Sequence, residues 1–407
     1  VKPWLRQPAH LRWLGGETQR LLDFGVRFPH PLGGAAWLGE DGTPDLDAPV
    51  HTWITARMAH VYSLGALLGL PGAGPLADAA LTGLTGVLRD GRRGGWHPQV
   101  SADGEAAPGK ACYDHAFVVL AAASATTARR PGARELLDEA LDVLLTRFWE
   151  EEHGLFADLW DTAWGRLDGY RGLNANMHGV EALLAAFDAR GERALLDRAL
   201  RIAERAVGWA REREWRLPEH FDEEWRPQPE YNRECPGDQF KPFGATVGHA
   251  LEWSRLLLHL EAALGATAPG WLLESAEALF SRAVRDGWNA DGAAGFVYTT
   301  DWDGRPVVRQ RLHWVAAEAV GAAATLHART GADSYAELYA QWWDHVRLHF
   351  VDVERGSWRH ELDSGNRSAA TVWPGKPDLY HAVQATLLPR APLAPGLAAA
   401  AAAGLVG

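Results

Sequence analysis

Only two cysteines, Cys112 and Cys235, occur among the 407 residues. That is too few for the disulfide framework of a secreted scaffold, and it sets the expectation of a reducing, cytoplasmic setting. Basic residues are in deficit, with 40 Lys plus Arg against 52 Asp plus Glu and a net charge of −12. A surface that tracks nucleic-acid phosphates needs the opposite balance, so no nucleic-acid partner is expected. Long apolar runs are missing as well: nothing reaches the roughly 18 uncharged apolar residues of a membrane span, and the alanine-rich tail Leu397–Val406 is too short. No membrane partner is expected either. The opening Val1-Lys2-Pro3-Trp4 shows no apolar core of a signal peptide. Neither cysteine carries a nucleophile signature, no Gly-x-Ser-x-Gly turn occurs, and Gly91-Arg92-Arg93-Gly94-Gly95 lacks the strand and Lys-Ser/Thr end of a phosphate loop.

What the chain does have is tryptophan and histidine, 20 and 17 respectively against 2 methionines. An indole offers a flat face and one N–H, which suits a sugar and suits core packing equally well. The sequence also repeats loosely. Segments that are apolar nearly all round begin near His51, Ala111, Asn174, Pro242, Arg311 and Lys376. Amphipathic partners follow over Pro75–Asp90, Pro131–Glu150, Glu192–Arg211, Pro269–Asp286 and Ser334–His349, and Trp4–Arg27 supplies another. All-round apolar helices demand burial on both sides, so the pattern separates inner from outer helices. Six such pairs predict an all-α fold, a closed (α/α)6 barrel formed by residues 1–407 as one catalytic domain; an open solenoid is the rival arrangement. Short strands are expected at Gly94–Pro98, Gly154–Leu159, Gly295–Thr299 and Gly356–His360. Asp103-Gly104, Asp168-Gly169 and Asp303-Gly304 then close hairpins and long loops on the active-site face.

Polar residues early in the inner helices converge on one end of such a barrel. They are Arg57 in the first, Tyr113, Asp114 and His115 in the second, Asn174 and His178 in the third, His249 and Glu252 in the fourth, His313, Trp314 and Glu318 in the fifth, and His381 in the sixth. The sharpest pattern is His178/Glu181, His249/Glu252 and His381/Gln384, each an imidazole one helical turn before a carboxylate or amide. A carboxylate beside an imidazole raises its basicity and fixes its tautomer, as an acid/base near neutral pH requires. These residues lie far apart in sequence, without the tight local spacing of a zinc or manganese site, so no metal and no cofactor are expected. A glycoside hydrolase on the same barrel is an alternative, with Glu219, Asp222 and Glu223 in the loop Leu217–Gln239 as its carboxylates. A sugar-binding module without catalysis is another.

Asn174-Ala175-Asn176-Met177-His178, Gly248-His249-Ala250-Leu251-Glu252-Trp253, His313-Trp314-Val315-Ala316-Ala317-Glu318 and Lys376-Pro377-Asp378-Leu379-Tyr380-His381 resemble, in order, the signatures of the N-acylglucosamine 2-epimerase superfamily. The resemblance implies an (α/α)6-barrel sugar isomerase or epimerase that moves a proton next to a sugar carbonyl without a cofactor. It implies His249 and His381 as the catalytic pair, with Glu252 tuning His249. Arg57, Asn174, His178 and Glu252 would hold the open-chain sugar and assist ring opening. Trp314 and Trp53 would be aromatic walls, and Tyr113 and Glu318 further sugar contacts. Pro374-Gly375-Lys376 replaces the Pro-Trp-Lys of cellobiose epimerases, which points to the isomerases acting on mannose or sulfoquinovose. Mannose is preferred, because Pro377 stands where a sulfonate donor would be useful, although Arg57, Arg359 and Lys376 are candidate sulfonate cations. A monosaccharide substrate and a monomer or weak homodimer are expected.

Overall fold

Helices buried on every side alternate along the chain with helices buried on one face, and the two kinds form two layers. The computed structural model describes residues 2–407. Its helices are α1 (Pro8–Gly25), α2 (Thr52–Leu67), α3 (Ala73–Thr85), α4 (Cys112–Thr127), α5 (Ala133–Val143), α6 (Leu173–Arg190), α7 (Arg193–Glu212), α8 (Val247–Leu264), α9 (Trp271–Gly287), α10 (His313–Thr330), α11 (Asp333–His345), α12 (Tyr380–Leu387) and α13 (Leu397–Ala402). The inner layer is α2, α4, α6, α8, α10 and α12, each packed on the next, and α12 returns to α2. That last contact closes the ring and excludes the open solenoid.

α3, α5, α7, α9 and α11 cover the outside, and α1 packs mainly on α12, so the first helix completes the last pair. α5 and α11 each run on into one π-helical turn, Leu144–Phe148 and Val346–Phe350, which is why their apolar patterns extend past the α-helix proper. α13 lies across α2, α4 and α6 and covers the opposite end of the ring. α6 and α10 end on Gly191 and Gly331, both at φ 73°, the left-handed conformation that glycine adopts without a Cβ penalty.

Residues just before an inner helix pair antiparallel with a strand of the following repeat: Val50–His51 with Gln99–Val100, Lys110–Ala111 with Leu159–Trp160, Arg171–Gly172 with His220–Phe221, Ala245–Thr246 with Thr299–Thr300, and Arg311–Leu312 with Glu361–Leu362. The pairs form a rim at the N-terminal ends of the inner helices. Two expected strands shrink to single bridges, Arg89 to Trp96 and Val351 to Trp358. The turn expected at Asp168-Gly169 lies earlier, because the Asp161 carboxylate accepts the N–H groups of Ala163 and Gly165 and ties the chain back there.

Four ion pairs pin the same rim. Lys110 meets Asp90 at 2.9 Å, Arg171 meets Glu150 at 2.8 Å, Arg311 meets Asp291 at 2.6 Å and Lys376 meets Asp352 at 2.8 Å. Each cation stands shortly before an inner helix, and each acid lies upstream of it in the preceding loop. The rim is thereby held by buried charge as well as by backbone pairing.

Candidate active site

The rim surrounds a cavity with about 510 Å³ of empty space. His178, His249, His313 and His381 enter it from the first two turns of α6, α8, α10 and α12, joined by Arg57, Tyr113, Asn174, Glu252, Trp314 and Asp378. Gln239 and Phe240 cover it from the long loop before α8, and Tyr298, His360 and Trp373 come from other rim loops. Helix starts place these side chains together because successive inner helices are parallel and each begins at the same height.

Two imidazoles are braced alike. His249 shares a hydrogen bond of 2.9 Å between Nδ1 and Glu219 Oε1, and His381 one of 2.9 Å between Nδ1 and Glu318 Oε1. A carboxylate accepts, so Nδ1 carries the proton in both rings and Nε2 is the nitrogen left for chemistry. Both rings lie against Trp314, with centroid separations of 5.2 Å and 5.7 Å. Burial pushes the His381 pKa down, and Glu318 opposes that push. The two histidines therefore face one space with their tautomers fixed.

Charges around them are paired. Arg57 donates to Asp378 Oδ2 at 3.1 Å and to the Tyr113 hydroxyl at 3.0 Å, and its guanidinium lies over Trp53, Phe117 and Tyr380. Burial works to raise the Asp378 pKa, but Arg57 overcomes it and the carboxylate is held below its usual range. His178 is lowered to about 4 by burial, although Glu181 lies 3.4 Å from its Nδ1. Glu252 is raised well above the usual range by burial and by the neighbouring Glu318. Its Oε2 is buried without a partner. Asn174 Oδ1 and Gln239 Nε2 are likewise unpartnered. Unsatisfied polar atoms lining one cavity are what a polyhydroxylated ligand would satisfy.

A model of the N-acylglucosamine 2-epimerase (GlcNAc 2-epimerase) family matches residues 33–385. This chain belongs to that family. A D-mannose isomerase from Thermobifida fusca is 53% identical over 98% of both chains. A second, from Pseudomonas cannabina pv. alisalensis, is 47% identical over 98% of this chain and 96% of its own. Among solved structures, a D-mannose isomerase superposes with a TM-score of 0.84 at 27% identity, covering 92% of this chain and 96% of that one. The 2-epimerase family and these relatives make the chain a sugar isomerase or epimerase.

Within this 2-epimerase site several expected pairings differ. Glu252 does not touch His249; its Oε1 accepts from Arg255 at 3.2 Å, and the carboxylate of His249 is Glu219, brought by the loop strand that pairs with Arg171–Gly172. Gln384 similarly turns to Arg255 and Glu181, not to His381. One helical turn of separation puts side chains on the same side but leaves each free to choose a stronger partner, which Glu252 finds in Arg255 on its own helix and Gln384 finds on other helices. Glu318, expected as a sugar contact, stands behind His381 outside the cavity lining. Trp53, expected as a wall, packs behind Phe240 and Trp373, which form the wall instead. Lys376 is fully buried, donating to Asp352 and to the carbonyls of Glu40 and Gly356, and Arg359 donates to the carbonyl of His349. Neither reaches the cavity. His115 is held by the Ala111 carbonyl and the Trp96 N–H, again away from it.

Sequence reasoning missed Glu219 as a histidine partner, along with Asp378, Arg255 and the His360 that stacks on His313 at 3.7 Å. Asp378 had a signal, since it sits inside the Lys-Pro-Asp-Leu-Tyr-His segment. Arg255 had one too: an arginine in a helix otherwise apolar nearly all round must find buried partners. Two carboxylate–histidine groups, His178/Glu181/Glu252 and Glu252/Glu318/His381, are compact enough for a metal ion, but the Arg255 guanidinium already contacts Glu252 and Glu318. His345 and His349, four residues apart with rings separated by 4.7 Å, lie at the end of α11 in the outer layer.

Proposed function

We propose that this chain interconverts D-mannose and D-fructose through a cis-enediolate. The observation that carries the reading is the pair His249/Glu219 and His381/Glu318, two Nδ1-braced imidazoles against one tryptophan in one cavity. The two full-length D-mannose isomerase relatives support it. His381 Nε2 removes the proton at carbon 2 of the open-chain sugar, and the proton returns at carbon 1. His249 acts as acid/base at carbons 1 and 5, with Glu252 assisting ring opening. Arg57 and Tyr113 supply positive potential to the developing oxyanion. Asn174 and His178 hold hydroxyls, and Trp314 provides a flat face. No cofactor takes part in these steps.

Mannose is favoured over sulfoquinovose by the cations. Lys376 and Arg359 are committed elsewhere and do not line the cavity, and Arg57, paired with Asp378, is the cation given to the oxyanion, so neither of the other two is offered to a sulfonate. A cytoplasmic location is consistent with two free cysteines, and no helix among the described residues is long and apolar enough to cross a membrane. The test is incubation with D-mannose in deuterated water. Fructose carrying deuterium at carbon 1 is expected; absence of ketose from mannose, with turnover of another sugar, overturns the assignment.

A further inference from the structure

Arg255 lies within reach of three carboxylates, yet it stands outside the lining of the catalytic cavity. It stands on α8, six residues beyond His249, with its side chain 2% exposed. Its Nε donates to Glu318 Oε2 at 2.5 Å, and its Nη2 donates to Glu318 Oε1 at 3.3 Å, to Glu252 Oε1 at 3.2 Å and to Gln384 Oε1 at 3.3 Å. Glu181 Oε1 is 3.8 Å from the same nitrogen. One guanidinium thus joins carboxylates and an amide from α6, α8, α10 and α12.

The grip on Glu318 is two-pointed. It fixes the plane of the carboxylate whose Oε1 also meets His381 Nδ1. The bond to Glu252 occupies one oxygen and leaves Oε2 as the unpartnered atom at the cavity. We propose that Arg255 is a positioning residue for the isomerisation: it holds Glu318 so that His381 stays an Nδ1–H tautomer with Nε2 free for substrate, and it holds Glu252 with one oxygen available to the sugar. A planar guanidinium can grip both oxygens of a carboxylate, whereas an ammonium is a point charge. Without the cation, Glu181, Glu252 and Glu318 cannot all stay compatible with ionised neighbours in a buried cluster, and the partner of His381 is the group put at risk.

A second cavity, with about 730 Å³ of empty space, reaches Arg255, Glu181 and Gln384 from the other side, between α13 and the far ends of the inner helices. It gives a small cation a route to the cluster that does not pass through the sugar site.

This inference rests on His381 being a base of the proposed reaction, so the wild-type protein is assayed first. Failure of wild type to isomerise any aldose removes that reading, while the tautomer of His381 still tests the positioning. Arg255→Lys should keep its fold and a KM for mannose within about threefold of wild type, while kcat falls by about 30-fold or more. Arg255→Ala should fall further, and millimolar guanidinium chloride should restore kcat by about tenfold where ammonium chloride does not. Long-range proton–nitrogen spectra of histidine-labelled protein should show the Nδ1–H form of His381 in wild type and its loss in Arg255→Lys. Should Arg255→Ala not fold, Arg255→Lys decides. A folded Arg255→Lys with kcat within threefold of wild type, or with an unchanged His381 tautomer, overturns the proposal, as does an Arg255→Ala that folds but gains nothing from guanidinium.

Discussion

Glu219→Gln isolates one hydrogen bond in the proposed machinery. The carboxylate is buried and its side chain bonds to His249 Nδ1 at 2.9 Å, while its backbone carbonyl separately accepts from Leu173. Glutamine keeps the shape and an accepting oxygen but removes the negative charge that supports an imidazolium. A charge-assisted hydrogen bond in a buried setting contributes about 1.5–3 kcal/mol, and each 1.36 kcal/mol is tenfold in rate, so kcat should fall by about 10- to 150-fold. KM for mannose should change little, since Glu219 is not a lining residue of the cavity. Steady-state formation of fructose, followed by proton NMR, gives both constants, and a thermal melt confirms that the fold is intact. Glu252→Gln is the informative comparison. Helical spacing makes Glu252 the partner of His249, whereas the structure gives that role to Glu219. A kcat within threefold of wild type for a folded Glu219→Gln, with the large loss appearing only in Glu252→Gln, would refute the reasoning.

Replacing His381 with Asn should lower kcat by about 10²–10⁴ with the circular dichroism unchanged, the range for loss of a general acid/base; a fully active variant removes the proposed base. Gly248→Ala should destabilise by about 1–3 kcal/mol and reduce turnover, because its Cβ would lie 2.3 Å from Trp314 Cζ3 in the wall between the two histidines; an unchanged melting temperature and kcat would contradict that packing. Burial works to raise the Asp90 pKa, but Lys110 and the N–H groups of Arg92 and Arg93 bring it to about 2, below its unfolded value near 3.9. Its contribution to stability is therefore complete above about pH 4 and lost as pH falls through about 2. Asp90→Asn should flatten the acid limb of the stability profile in that window, as measured by urea melts at stepped pH. Lys376→Met should lower the melting temperature by stranding Asp352 in the buried pair, while leaving KM for the sugar unchanged; a raised KM would instead place Lys376 at the substrate.

The sequence determined the layers, because a helix apolar all round can only be inside and one apolar along a stripe can only cover it. Six inner segments such as Phe117–Ala123 and five clear outer ones left few architectures. It also picked out inner-helix residues that meet in one cavity, since His178, His249 and His381 are costly residues in otherwise apolar helices. The partners of those histidines were not legible in it. Spacing within one helix nominates Glu252 and Gln384, but a buried carboxylate or amide goes to the strongest donor within reach, and Arg255 drew both away, Glu252 from one turn along the same helix and Gln384 from across the ring. The vacated places were filled from other elements, by Glu219 from a rim loop and by Glu318 from α10.

Closure of the ring belonged to the tertiary structure as well. Periodicity gives the pitch of a repeat but not the small rotation between successive pairs, and only the contact of α12 with α2 fixes that sum. The same holds for the candidate sulfonate cations: Lys376 and Arg359 are polar residues near a motif until the fold reveals which carboxylates and carbonyls already hold them. Burial and periodicity are properties of a segment, and the sequence carries them; the pairing of charges depends on distances between segments, and only the closed barrel decides it.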